Sequence, residues 1–176
     1  MRKNNTINIL LWTCVIVCPF LLQGSLININ DWMISQNNGI VSILTGTFLH
    51  ASFKHMVGNL TNILLGATII YQFYNKMYLW LVLLGIAIPS GLMYALGFNS
   101  VGISGLGYTL IWFIICRGLM SHDTIRFMIG LLALVFYGGS ILGAIPSTAL
   151  STVAWQAHLM GMIVGFMAAM VNRLKT

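Results

Sequence analysis

Six stretches of about twenty residues run through this chain without a single carboxylate, near 7–26, 52–73, 77–96, 103–119, 125–145 and 152–172. Each is long enough, as a helix, to cross a hydrocarbon core of about 30 Å. Asp31 and Asp123 are the only acidic residues, and both fall between the runs. Hydrophobic residues make up 59% of the 176 and charged ones 6%, with a mean hydropathy of +0.93. A soluble domain of this size does not carry such a composition. The expected fold is therefore an all-α membrane protein of six transmembrane helices, forming one domain over residues 1–176 with no internal repeat.

The net charge of +6 invites a nucleic-acid reading, but the eight Lys and Arg stand singly and form no basic patch with interleaved aromatics. No nucleic-acid partner is expected. Cationic residues instead mark the cytoplasmic side of membrane proteins. Arg2 and Lys3, Lys76, Arg117 and Arg126, and Arg173 and Lys175 share one side of the six-span arrangement. Lys54 alone falls on the other, where its stem can snorkel to the interface. Both termini are thus expected in the cytoplasm. The segment from Ile7 to Leu22 after MRKNN resembles a secretory signal, but LLQGS offers no small-x-small cleavage site, so it reads as an uncleaved first span. The long first connection, LININDWMISQNNG, mixes apolar and polar residues and suits the outer interface, with Trp32 at headgroup level. Cys14, Cys18 and Cys116 have no metal-type spacing and read as core packing.

With no carboxylate inside the spans, any chemistry must come from His, Ser, Asn and Tyr. His122 sits in a polar turn and reads as a solvated neighbour of a helix cap. The other three histidines behave differently, because the second, fourth and sixth spans all begin at the outer face. Ser104 then lies about one turn into the membrane and His158 about two, at the level of His50, His55 and Asn59. His158, Gly161 and Gly165 share one helix face, and those glycines, with Gly102 and Gly105 around Ser104, allow close backbone approach. A serine brought to an imidazole in this way is an activated nucleophile. Tyr108, one turn after Ser104, is placed to pack on that ring and hold it as an aspartate would in a triad. His55 and Asn59, four residues apart on one face, offer N–H donors to an oxyanion.

These residues carry a resemblance. HASFKHMVGN (His50 to Asn59), GISGLGY (Gly102 to Tyr108) and HLMGMIVG (His158 to Gly165), in this order, resemble the motifs of the rhomboid intramembrane serine proteases of the minimal six-helix bacterial type. The resemblance implies that Ser104 is the nucleophile and His158 the general base. It implies that His55, Asn59 and the backbone N–H of Ser104 hold the oxyanion, and it gives His50 a supporting place. It implies no cofactor and no metal, and as partners the lipid bilayer and single-span transmembrane substrates that unwind near the cut, with a small residue before it. The chain departs from the family where Val41 and Ser42 replace a Trp-Arg pair, and where Tyr71 and Gln72 replace an acidic residue.

The expected function is hydrolysis of a peptide bond in a membrane-anchored substrate near the outer face by a Ser-His dyad, with the Gly- and Pro-rich stretch 138–151 capping the cavity. Two rivals remain at this stage. One is a zinc or transport site built from His50, His55 and His158, which leaves Ser104, Tyr108 and Asn59 without work. The other is a catalytically silent relative that binds membrane clients, a class that loss of Ser104 or His158 would mark.

Overall fold

The structure, a computed structural model, describes residues 2–146 and 154–173, with side chains from residue 6 onward. Helix α1 (Arg2–Leu22) leads into a connection holding two short helices, α2 (Ile29–Trp32) and α3 (Ser42–Phe48). Then follow α4 (Phe53–Phe73), α5 (Asn75–Ala95), α6 (Ser104–Leu119), α7 (Thr124–Tyr137) and α8 (Trp155–Arg173). Among the described residues, Phe53–Phe73, Asn75–Ala95 and Thr124–Ala144 are long and apolar enough to cross a membrane, and Thr6–Leu22 and Ser104–Leu119 are shorter apolar helices. The chain is an integral, multi-pass, all-α membrane protein.

Local chemistry sets the helix ends. Ser52 caps α4 by accepting a hydrogen bond from the His55 N–H, and Asp123 caps α7 through the Arg126 N–H at 2.9 Å. The first helix stops at Leu22, short of the expected 26, and Gly24 turns the chain with φ +83°. The fifth expected span ends as an α-helix at Tyr137, and Gly138–Ala144 continue as a 3₁₀ segment. Two adjacent glycines at its start disfavour the α form. The rest of the expected capping stretch, 147–151, lies outside the described residues.

Helix α6 is the axis of the bundle, with eleven of its sixteen residues buried. Glycines let its neighbours close in. A Cβ on Gly161 of α8 would overlap the Gly105 carbonyl, and one on Gly165 would overlap the Thr109 carbonyl. The same Thr109 ties the two helices, its hydroxyl lying 3.0 Å from the Gly105 carbonyl and 3.1 Å from that of Gly161. On the α5 side, a Cβ on Gly105 would come within 2.5 Å of the Pro89 side chain. Gly161→Val should therefore push α6 and α8 apart at a destabilisation of about 1–3 kcal/mol. A melting curve in detergent measures it, and an unchanged midpoint would contradict the close packing.

The connection between α1 and α4 is fastened to the chain leading into α6. Ile34 and Ser100 exchange backbone hydrogen bonds of 2.9 and 3.1 Å, and the Gly102 N–H donates to the Gly46 carbonyl at 3.0 Å. Ser42, at the site of the missing Trp-Arg pair, is buried; its hydroxyl donates to the Gly39 carbonyl at 2.6 Å and accepts from the Ser35 N–H at 3.2 Å. Trp32 is exposed.

One expectation is corrected: Cys14 and Cys18 are exposed on α1 instead of packed in the core. Arg117 stands in the last turn of α6, beside the loop to α7, with its side chain buried and its Nε donating to Asn172 of α8 at 2.8 Å.

Candidate active site

Ser104 is the first residue of α6, and the backbone reaches it through Gly102 at φ +112°, a conformation that side-chain-bearing residues rarely adopt. Gly102 is also held by space: a Cβ there would lie 2.7 Å from the His55 ring and 3.4 Å from Asn59 Nδ2. The segment entering Ser104 thus runs directly against the two polar side chains of α4. The first N–H groups of a helix have no partner within it and carry partial positive charge. Ser104 stands at that end of α6.

Across the α6–α8 seam, Ser104 Oγ lies 2.9 Å from His158 Nε2, joining residues 54 apart in sequence. His158 Nδ1 lies 2.9 Å from the Gly143 carbonyl. The Tyr108 ring stacks on the imidazole at 4.2 Å between centroids and 11° between planes, and its hydroxyl donates to the Ser140 carbonyl at 3.1 Å. The expected packing of Tyr108 on His158 is therefore present. The glycines bring it about, since Gly161 and Gly105 allow the approach that places His158 over Ser104.

On α4, Asn59 is 5% exposed and its Nδ2 has no hydrogen-bond partner among the described residues. His55, Asn59, Ser104, Tyr108 and His158 all line one cavity of about 1200 Å³. His50 does not reach it. Fully buried, its ring meets that of His55 edge-on at 5.3 Å. Its backbone is clasped at both ends by Gln23, whose side chain donates to the His50 carbonyl at 2.7 Å and accepts from its N–H at 2.8 Å. Among the described residues, no three His, Cys, Asp or Glu side chains gather in a metal-binding group. Both ring nitrogens of His158 are already engaged.

Sequence reasoning missed the contributions of Gln23 and Gly143. A glutamine following a helix carries no sign that it will grip a backbone 27 residues on. A carbonyl acceptor has no sequence signature at all.

Uncharacterized proteins of Mycobacterium bovis and Mycobacterium tuberculosis are each 28% identical to the chain over 158 residues, covering 84% of it and 65% of the relative. One of Mycobacterium leprae is 27% identical over 151 residues, covering 76% of this chain and 60% of its own. The chain thus spans somewhat less than two thirds of the length of these relatives. The model of the rhomboid domain matches residues 37–174, a stretch that holds Ser104, His158, His55 and Asn59 together, and the chain belongs to the rhomboid family.

Proposed function

We propose that this protein is an intramembrane serine protease that cleaves single-span transmembrane substrates near the outer face of a bacterial cytoplasmic membrane. The reading includes six membrane spans, with both termini in the cytoplasm. The family is generally one of intramembrane serine proteases. The observation that carries the proposal is the 2.9 Å approach of Ser104 Oγ to His158 Nε2 beneath a stacked Tyr108. A hydroxyl is a weak nucleophile until a base takes its proton.

In this mechanism His158 Nε2 accepts the Ser104 proton as Oγ attacks the scissile carbonyl. Negative charge collects on the former carbonyl oxygen, toward which Asn59 Nδ2, the His55 ring and the Ser104 N–H donate. His158 then passes its proton to the leaving amine as the C–N bond breaks. Water, deprotonated by the same imidazole, releases the acyl group and restores Ser104. No step requires a metal.

Reconstitution in proteoliposomes with a generic single-span substrate tests the proposal. Two fragments should form, in the presence of EDTA as in its absence, with the cut in the outer part of the span. Membrane-impermeant thiol labelling of single cysteines should find position 31 external and position 123 cytoplasmic. Cleavage that EDTA stops and zinc restores would favour the histidine metal site instead, and a folded protein that binds substrate without cutting it would favour the silent relative.

A further inference from the structure

Among the described residues, no carboxylate stands behind His158, yet its Nδ1 lies 2.9 Å from a carbonyl oxygen, that of Gly143. A carbonyl can only accept a hydrogen bond. The proton of the neutral imidazole must then sit on Nδ1, which leaves Nε2 bare and facing the Ser104 hydroxyl. We infer that Gly143 is the positioning residue of the dyad: its backbone carbonyl fixes the tautomer and tilt of His158 and takes the place of a triad's carboxylate. The inference rests on the serine-protease reading and adds to it the group that prepares the base.

The same short segment holds the other ring of the stack. The Tyr108 hydroxyl donates to the Ser140 carbonyl, so Gly138–Ala144 clasps the Tyr108–His158 pair at both of its polar ends. Residue 143 must be glycine for this to work, because a Cβ there would overlap the Tyr108 hydroxyl and lie 3.4 Å from His158 Nδ1. The orientation of both rings therefore depends on where this segment is seated.

During acyl transfer His158 gains the serine proton on Nε2 and becomes cationic, with Nδ1–H still donated to Gly143. The carbonyl dipole stabilises that cation without taking a proton, and the Nε2 proton leaves with the amine. A neutral dipole helps less than a carboxylate, so the chief contribution of Gly143 is orientation.

Nitrogen-15 NMR of histidine-labelled protein in micelles, with His158 assigned by loss of its signals in His158→Gln, tests this. Wild type should show His158 protonated at Nδ1 and bare at Nε2. Gly143→Ala should give a mixture of tautomers and slow fluorophosphonate labelling of Ser104 by about 10- to 100-fold, the range expected when reacting groups shift by about 1 Å. If that variant fails to fold, replacing Ala144 by its α-hydroxy analogue turns the Gly143 carbonyl into an ester, a weaker acceptor with no change of side chain. It should slow labelling in the same direction. Wild-type labelling with unaltered His158 signals in the ester variant, or in a folded Gly143→Ala, overturns the assignment of Gly143 and leaves the protease reading standing. A wild type that takes no fluorophosphonate overturns both.

Discussion

Ser104→Ala and His158→Ala will each abolish substrate cleavage in proteoliposomes while the fold persists. Removing the nucleophile or the base of a serine protease costs about 10⁶ in kcat, and the two losses do not add because the residues act as one unit. A fluorophosphonate should mark wild type at Ser104 and fail to mark His158→Ala, since the 2.9 Å hydrogen bond to Nε2 is what makes the hydroxyl reactive. Asp31→Asn and Asp123→Asn should keep their activity. Both carboxylates are exposed, and Asn caps α7 about as well as the Asp123 that does so now. Labelling that survives in Ser104→Ala would assign the chemistry to another residue. Lost cleavage in Asp31→Asn would break the claim that no acid takes part.

The partnership of Ser104 with His158 was legible because its cause is local on each helix. Glycines at positions 161 and 165 leave a bare face on α8 that packs on the backbone of α6 at Gly105 and Thr109, as small residues in a membrane bundle do. The placement of His55 and Asn59 was legible for the same reason, a four-residue spacing that fixes one face. Helix ends were less so. Gly24 ended the first run early, and Gly138 and Gly139 turned the fifth into a 3₁₀ segment, because hydropathy reports the depth of a residue and not the torsion of its backbone.

What the sequence withheld depends on partners distant along the chain. Arg117 reads as a loop-flanking cation and stands at that end of α6, but charge alone does not tell that its side chain is buried, with Asn172, 55 residues later, accepting its hydrogen bond. An α1 that is apolar all round gives no periodicity from which to tell its bundle face from its lipid face, so Cys14 and Cys18 read as core although they are exposed. The Gln23 clasp on His50 and the Gly143 carbonyl behind His158 belong to the same class, since backbone groups are present at every residue and only the fold selects which one is used.

The oxyanion donors should give the second largest effect. Asn59 Nδ2 is buried without a partner among the described residues, and Asn59 lines the cavity that Ser104 and His158 share. Such a donor gains its partner when the carbonyl oxygen becomes an anion, so its free-energy gain falls on the transition state and not on substrate binding. Asn59→Ala should accordingly lower kcat by about 10² to 10³, equivalent to about 2.7–4 kcal/mol, with little change in KM. The fold should persist, so that the loss is read on turnover. His55→Ala should act in the same direction and by less, since this ring is only half-buried and water can enter where it was. His50 separates chemistry from support: fully buried and stacked edge-on against His55, it lies away from the cavity that Ser104 lines. His50→Ala should therefore destabilise the fold by about 2–5 kcal/mol by opening a void, on the scale of large-to-small core changes, and so lower the melting temperature, while the folded fraction retains more turnover than Asn59→Ala. Turnover and melting temperature for the three variants decide between these roles. Near-wild-type turnover in both Asn59→Ala and His55→Ala would mean that backbone N–H groups at the start of α6 hold the oxyanion without them.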